Sequence, residues 1–252
     1  MLLRGKRALV TPGTPGTQTS DPADVQRQRG PMCGAAATTI RLGLASGKLS
    51  DMRGVNGLWN VNIHYDARLA ACVPASATAV LDVGCGDGFL AARLAWRVPH
   101  VVAIDVDAPV LGRARARFPD APVSWCHGDI LTHPLRPGSF DAVLSNAMFH
   151  HLPDTRAALR QLSQLVRPGG MLAIVGFPRT EWRDLPWAVT TGLLRGVAIR
   201  VRRKWPHTAP TAWPPRDSIR ELRQAAREVL PGSHVRLLLL GRYLLTWSRP
   251  LP

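Results

Sequence analysis

The decisive stretch of this sequence is Leu81-Asp82-Val83-Gly84-Cys85-Gly86-Asp87-Gly88. With the two residues before it, its apolar start predicts a buried β-strand over residues 79–83, and three glycines follow at alternate positions. Glycine has no Cβ atom, so a backbone rich in it can turn sharply and come close to a ligand. The spacing is G-x-G-x-G, and position 89, where a dinucleotide-binding fingerprint has its third glycine, is Phe89. We therefore predict a ligand site where this strand ends.

Short β-rich runs and longer helical runs alternate from this stretch to the end of the chain. They predict strands at residues 79–83, 101–105, 123–127, 140–145, 171–176, 235–240 and 243–248, and helices at residues 89–98, 108–118 and 155–166. Such alternation indicates a parallel sheet with helices on both faces. Only Gly241 and Arg242 separate the last two strands, too few residues for a helical crossover, so these strands must form an antiparallel hairpin. We expect an α/β fold with a doubly wound, mostly parallel seven-stranded sheet that ends in this hairpin.

The chain before the first strand divides into two parts. Residues 1–54 are punctuated by proline and glycine without a helical or strand period, so we expect a disordered leader there and one domain over residues 55–252. A helix with one buried face should follow the leader, because apolar residues recur two or four positions apart at Trp59, Val61, Tyr65, Leu69 and Val73. This helix could fold over a ligand or simply belong to the core, and the sequence leaves both open.

Composition excludes several classes of protein. With 252 residues, 46% of them hydrophobic, the chain can build a core and is not wholly disordered. No apolar stretch reaches the roughly 20 residues that span a bilayer. The four cysteines form no C-x-x-C pair, which argues against a zinc knuckle and against a disulfide framework. We expect a cytoplasmic location and no bound metal.

The formal net charge of +15 raises the question of a nucleic-acid partner. Only three of the 32 basic residues are lysine, and the arginines are spread along the chain rather than gathered in one block. We attribute this uniform preference for arginine over lysine to a GC-rich coding sequence rather than to a surface that binds phosphate groups. Nucleic acid is therefore not an expected partner.

Four carboxylates lie at or just beyond the ends of predicted strands. Asp82 and Asp87 flank the glycine turn, Asp105 ends the second strand, and Asp129 follows the third. The carboxyl ends of parallel strands meet at one edge of a sheet, so these side chains should share that edge. There, Asp105 can accept hydrogen bonds from both hydroxyls of a ribose, and Asp129 from an adenine amino group. An acidic edge in a basic chain suits a ligand with cationic groups better than a pyrophosphate.

Three further motifs follow in order, Phe140-Asp-Ala-Val-Leu-Ser-Asn146, Phe149-His-His-Leu-Pro-Asp154 and Val166-Arg-Pro-Gly-Gly-Met-Leu172. With the glycine turn and the acids, they make residues 59–250 resemble the class I S-adenosylmethionine-dependent methyltransferases. The resemblance implies an enzyme with S-adenosylmethionine as its cofactor. It also implies a set of cofactor-binding residues, which would be Asp82, Gly84, Cys85, Gly86, Gly88, Asp105, Val106, Asp129, Ile130 and Asn146.

Two histidines are candidates for a catalytic role. The methyl group of a sulfonium is already activated, so positioning of the acceptor can suffice for its transfer. A general base helps when the acceptor is a hydroxyl or an acidic carbon, and His150 and His151 follow the fourth strand close to the expected site. The alternative is that these histidines only order the start of the next helix.

A long insertion separates the fifth strand from the last helix, at about residues 177–216. Its apolar residues recur every four positions, with basic residues mostly off this stripe, and predict an amphipathic helix through Val189, Leu193, Val197 and Val201. We expect the helix to be a lid whose stripe packs over the acceptor pocket. The alternative is peripheral contact with anionic lipid, which three tryptophans favour, namely Trp182, Trp187 and Trp205.

The expected function is methyl transfer to a small-molecule acceptor by O-, C- or N-methylation. A noncatalytic binding protein of this fold is one rival, but its mark would be a damaged glycine motif, and this motif is intact. An RNA methyltransferase is a second rival, for which an Asn/Asp-Pro-Pro-aromatic motif would be expected after the fourth strand; here Asn146-Ala-Met-Phe149 lacks both prolines. A lipid or quinone methyltransferase at a membrane surface stays open, as do the acceptor atom and the oligomeric state.

Overall fold

The computed structural model of the chain describes residues 59–201 and 214–252. Its strands are β1 (Ala79–Val83), β2 (His100–Asp105), β3 (Val123–His127), β4 (Phe140–Asn146), β5 (Val166–Gly176), β6 (His234–Leu238) and β7 (Arg242–Ser248). Its α-helices are α1 (Val61–Cys72), α2 (Phe89–Ala95), α3 (Ala108–Arg117), α4 (Thr155–Leu165), α5 (Leu185–Val201) and α6 (Ile219–Val229). The predicted leader at residues 1–54 lies outside the described residues, as does Trp205.

The strands form one seven-stranded sheet in the order β3-β2-β1-β4-β5-β7-β6. The pairs β1-β2, β2-β3, β1-β4 and β4-β5 are parallel, whereas β7 runs antiparallel to both β5 and β6. The predicted mostly parallel, doubly wound sheet with a terminal hairpin is therefore confirmed. The strand order reverses between β1 and β4, and such a reversal opens a crevice at the carboxyl ends of the two strands.

Side-chain caps fix where several helices begin. Asn60 caps α1 by accepting a hydrogen bond from the backbone N–H of Ile63 at 2.8 Å. Asp107 and Asp154 cap α3 and α4 in the same way, each accepting from the backbone N–H three residues ahead at 3.0 Å. Each cap satisfies an N–H group that has no partner within its own helix. The polar residues that end the loops thus set the position at which each helix leaves the sheet edge.

The core lies on both faces of the sheet. Val80 and Leu81 are neighbours on β1 and both are fully buried, but they belong to opposite hydrophobic clusters. One cluster packs the sheet against α1 and α2, and the other packs it against α4 and α6. Burial on both faces is what a central parallel strand requires, and it explains why β1 reads as an almost continuous apolar run.

Some predicted boundaries shift. β5 begins at Val166 rather than Met171, because Val166 pairs with Phe140 of β4 ahead of a register shift. The hairpin connection is a turn over Leu239–Gly241 rather than Gly241 and Arg242, and Arg242 is the first residue of β7. Leu240 has a φ of 59°, which is rare for a leucine and marks the tight reversal of the chain there.

The predicted helix of the insertion exists as α5, but its predicted orientation is wrong. The apolar stripe faces away from the protein: Val189 is 57% exposed, Leu193 69%, Val197 58% and Val201 78%. The inner face carries Thr191, which is 2% exposed, and two partly buried residues that pack against the core, Ala198 and Ile199. Because α5 is apolar on both faces, the four-residue repeat did not determine which face would be buried. None of the described helices is long and apolar enough to cross a membrane.

Candidate active site at the carboxyl ends of the central strands

A cavity of about 410 Å³ opens at the carboxyl ends of β1, β2 and β4, large enough for a small organic ligand. The turn after β1 forms its floor, and the loops after β2 and β3 form one wall. The opposite wall consists of α1, through Asn62, Ile63 and Asp66, and of Ala147 and Met148 after β4. None of the residues of α5 lines this cavity, so the described helix does not act as the predicted lid.

Most of the predicted site residues share this cavity. Those that line it are Asp82, Gly84, Cys85, Gly86, Asp105, Val106, Asp129, Ile130, Asn146 and His151. Gly88 and His150 do not line it. The structure therefore brings together residues from four strand ends that are far apart in sequence, as the topology of a doubly wound sheet requires.

The three glycines of the turn all have positive φ, at 69° for Gly84, 53° for Gly86 and 81° for Gly88. A Cβ atom at Gly84 would collide with the side chain of Met148, which lies across the turn. A Cβ atom at Gly86 would meet nothing within 4 Å, so Gly86 is where the backbone is most open to the cavity. At Gly88 a Cβ atom would lie 2.6 Å from the ring of Trp125. Gly88 therefore serves helix-to-strand packing rather than ligand contact.

Asp105 shapes the glycine turn from the end of β2. One carboxylate oxygen accepts a hydrogen bond from the backbone N–H of Gly86 at 2.8 Å, and the other accepts from the N–H of Asp107 at 3.0 Å. Each oxygen keeps a second lone pair, so the carboxylate can still accept from ligand hydroxyls. On the same wall, Asp129 is exposed and accepts from the N–H of Leu131 at 2.9 Å, while Ile130 is buried beside it.

The sequence interpretation missed a polar cluster between α1 and β4. The side-chain amide of Asn146 donates to a carboxylate oxygen of Asp66 at 2.7 Å and to the backbone oxygen of Asn62 at 2.9 Å. Arg242, buried at the start of β7, donates to the side-chain oxygen of Asn62 at 2.9 Å. Asn62 and Asp66 are four residues apart on one side of α1. The sequence did contain a signal for this cluster, because Asp66 directly follows the buried Tyr65 in α1. A buried carboxylate without a partner is energetically costly, so its position indicates that a partner lies nearby.

Burial strongly perturbs the carboxyl groups of the cavity. Asp66 is 5% exposed, and burial raises its pKa to about 7 despite the hydrogen bond from Asn146 and the attraction of Arg93. Burial also raises the pKa of Asp82 well above its ordinary value, and the nearby carboxylates of Asp66 and Asp105 add to this shift. Oδ2 of Asp82 and Oδ1 of Asn146 are buried without a hydrogen-bond partner among the described residues. This concentration of acceptor oxygens suits a cationic ligand group.

The two candidate histidines differ sharply. His150 is half-buried against the ring of Phe177, at 4.9 Å between ring centroids, and points away from the cavity. Burial, together with the neighbouring charges of His151 and Arg242, lowers its pKa to about 4. His151 is exposed and lines the cavity. His150 is therefore a weak base that does not line the cavity, whereas His151 lies on the cavity wall.

The chain turns sharply where β4 meets the cavity. Ala147 has a φ of 60°, a left-handed conformation that costs a non-glycine residue about 1–2 kcal/mol. Its backbone N–H donates to the carbonyl of Val175 at 2.7 Å, which holds the turn to β5. The turn places Asn146 and Met148 on the cavity wall, and backbone strain of this kind is concentrated at functional sites.

Comparison with known proteins identifies the chemistry associated with such a cavity. Residues 81–174 match a family described as a methyltransferase domain. The chain is 54% identical over 192 residues to an uncharacterised methyltransferase of Mycobacterium tuberculosis, a match that covers 76% of this chain and 98% of that protein. It is 34% identical over 156 residues to a 2-phytyl-1,4-naphthoquinone methyltransferase of Thermosynechococcus vestitus, covering 57% of this chain and 69% of that protein.

A similar fold occurs in a phosphoethanolamine N-methyltransferase of Haemonchus contortus, solved in complex with phosphomonomethylethanolamine and S-adenosylhomocysteine. The TM-score is 0.54 at 15% sequence identity, over 74% of this chain and 53% of that one. At so low an identity the likeness concerns the fold alone.

Gly88 and Gly138 provide a matched test of the glycine turn, because both have positive φ but only Gly88 is crowded. Gly88→Ala should reduce the free energy of unfolding by about 2–5 kcal/mol, from backbone strain plus overpacking against Trp125. Gly138→Ala should cost about 1–2 kcal/mol, from strain alone. Urea denaturation of both variants measures the difference, and equal losses would contradict the packing role of Gly88.

The raised pKa of Asp66 predicts a pH-dependent stability. Its native pKa is about 7 against an ordinary value of 3.8, so between these values the native state binds more protons than the unfolded state. Stability should therefore fall as the pH rises through this range. Asp66→Asn removes the titration and keeps an oxygen that can accept from Asn146. The variant should gain on the order of 1–4 kcal/mol over the parent at a pH of about 8.5, and the gain should vanish near pH 4.

Urea denaturation across this pH range checks the expectation. Asp120→Asn, an exposed site, controls for the change in net charge. A difference between parent and Asp66→Asn that stays constant with pH would show that Asp66 does not titrate as described.

Proposed function

The chain belongs to the class I S-adenosylmethionine-dependent methyltransferases, and from this premise we propose that it binds S-adenosylmethionine in the described cavity and methylates a small-molecule acceptor. One observation carries the proposal: the open glycine turn at Gly86 and the carboxylates of Asp82 and Asp105 line one cavity. The 54% identity over 98% of a methyltransferase supports the assignment independently of that geometry.

The donor set of the cavity fits this cofactor. The buried, partnerless oxygens of Asp82 and Asn146 would face the ammonium of its methionine end. Asp105 would accept from the ribose hydroxyls, and Asp129 and Ile130 would contact the adenine. When bound, the cofactor supplies a methyl group activated on a sulfonium sulfur.

We assign Asp66 the role of accepting the proton that leaves the acceptor. Its carboxyl lines the cavity and is held by Asn146, and its pKa of about 7 is close to a neutral working pH, where a general base is most effective. His150 has neither property, since it lies off the cavity with a pKa of about 4. His151 lines the cavity and is the second candidate for this role.

A quinone or another lipid-soluble aromatic compound is the second candidate for the acceptor class. The likeness to a 2-phytyl-1,4-naphthoquinone methyltransferase supports it, at 34% identity over 156 residues. The apolar side chains of Ile63, Met148 and Leu152 on the cavity wall also support it, because they offer a surface against which a flat ring can pack.

Loss of the Asp105 carboxylate should weaken binding of S-adenosylhomocysteine, the demethylated form of the cofactor. Asp105→Ala removes two charge-assisted hydrogen bonds, so the affinity should fall by about 2–4 kcal/mol, or roughly 30- to 1000-fold. Titration calorimetry measures the loss, with Asp120→Ala as an exposed control and a thermal melt to show that the variant folds. Equal affinity of Asp105→Ala and parent would refute the ribose assignment, and no binding to the parent would refute the cofactor assignment.

If Asp66 is the general base, its replacement should slow methyl transfer but leave binding of the cofactor product almost unchanged. Extracts of small metabolites would be incubated with enzyme and with cofactor carrying a deuterated methyl group, and labelled products would be identified by mass spectrometry. Asp66→Asn should bind S-adenosylhomocysteine almost as the parent does but transfer label about 10²- to 10⁴-fold more slowly. His151→Gln is the matched comparison. Normal transfer by Asp66→Asn together with a large loss in His151→Gln would move the base to His151.

A further inference from the structure

The outer face of α5 is an exposed apolar surface, whereas most other large apolar side chains of the described residues are buried. Its centre is the stripe described above, and Leu185 at 53% exposure and Trp182 at 73% extend it towards the start of the helix. We call this set the α5 face; it consists of Trp182, Leu185, Val189, Leu193, Val197 and Val201. Apolar surface that runs continuously over four helical turns marks a site of interaction rather than ordinary solvent contact.

The exposure of the α5 face does not result from a detached helix. Thr191 on the opposite side is buried, and Ala198 and Ile199 pack against the core cluster that contains Tyr65. The hydroxyl of Tyr65 in turn donates to the carbonyl of Leu239, in the hairpin turn that lies against α5. The helix is therefore held by one side, and its other side is presented outwards.

Helix α5, which carries most of the α5 face, has only one sign of charge, whereas Glu181 and Asp184 flank Trp182 before the helix begins. From residue 185 to residue 216 the sequence contains no acidic residue, and its six basic residues are Arg195, Arg200, Arg202, Arg203, Lys204 and Arg216. In the described part, Arg195 and Arg200 are exposed and form no ion pair with another described residue. Arg200 belongs to the same side of the helix as Leu193 and Val197, by the periodicity of 100° per residue. Arg200 therefore shares the surface of the apolar stripe, whereas Arg195 lies only 40° around the helix from the buried Thr191 and close enough to Arg242 for its charge to lower the pKa of that residue.

The positive charge of this surface argues against another part of the same chain, or a second copy of it, as the partner of the α5 face. The segment from residue 1 to residue 58 contains eight basic and three acidic residues, so it has the same sign of charge as the surface it would cover. A second copy packed symmetrically on the α5 face would add cations to this surface, and its own α5 contains no acidic residue to pair with them. Like charges facing each other at an interface are unfavourable, so the occupant should be anionic.

We propose that the α5 face docks on an anionic lipid surface. A protruding helix with aliphatic side chains, a tryptophan near one end and flanking cations matches the way interfacial helices enter the boundary between headgroups and acyl chains. A fluid lipid layer adapts to such a ridge, whereas a folded acidic protein would need a complementary cleft. Docking does not depend on the proposed methyl transfer.

Sedimentation of the full chain with vesicles tests this proposal. Vesicles of phosphatidylcholine with about one third phosphatidylglycerol should pellet the protein at low salt, and pure phosphatidylcholine should pellet much less. Each basic residue near an anionic surface contributes roughly a fivefold gain in binding, so Arg200→Glu should weaken binding at least about fivefold. Leu193→Asp should weaken it about tenfold or more, because it places a charge in the apolar stripe.

Arg227→Glu is the matched control, since it makes the same change of charge at an exposed position of α6. This control should lose at most about twofold in binding, and circular dichroism melts should show that all variants fold. Absence of binding to anionic vesicles, or an equal loss in Arg200→Glu and Arg227→Glu, would overturn the proposal. It would also be overturned if light scattering showed a dimer that Leu193→Asp dissociates, or if an acidic protein bound the α5 face while vesicles did not.

Discussion

Burial of β1 on both faces is the constraint on which the rest of the molecule depends. Val80, Leu81 and Val83 are fully buried between helices on either side of the sheet, so the strand carries its single polar side chain, Asp82, next to its carboxyl end. Chemistry is therefore confined to the strand ends, where loops can supply hydrogen-bond partners. The reversal of strand order between β1 and β4 then leaves an opening at one of these ends, and the cavity occupies it.

The glycine motif illustrates how one local pattern serves three physical needs. All three glycines satisfy the left-handed backbone of the turn, but their missing Cβ atoms make room for different neighbours. Gly84 makes room for Met148, Gly88 for Trp125, and Gly86 for the cavity itself. A match to the motif does not show which glycine serves which purpose. The spacing of the glycines determines the backbone turn, but it does not determine which side chain or ligand lies against each of them. Gly84 and Gly86 both line the cavity, and of the two only Gly86 has empty space where its Cβ atom would lie.

Much of the fold could be predicted from the sequence because it follows from short-range patterns. β1 and β3 begin and end where the apolar runs do, and Asp105 and Asp129 reach the cavity because strand ends meet at one edge. Asp66 escaped prediction because its partner Asn146 is 80 residues away and the contact exists only once α1 lies across β4. The orientation of α5 escaped for the opposite reason: both of its faces are apolar, so a local pattern could not choose between them.

The same physical effect separates the two candidate bases of the site. Burial disfavours charge, so it raises the pKa of a carboxyl group and lowers that of an imidazole. Asp66 and His150 are both shielded from water, and burial is the largest cause of both shifts, to about 7 and about 4. At neutral pH the carboxyl is poised between its two states, whereas the imidazole has lost nearly all of its basicity. Burial thus brings the pKa of an aspartate towards neutrality and takes the pKa of a histidine away from it, and a sequence that shows both residue types does not reveal which of them is buried.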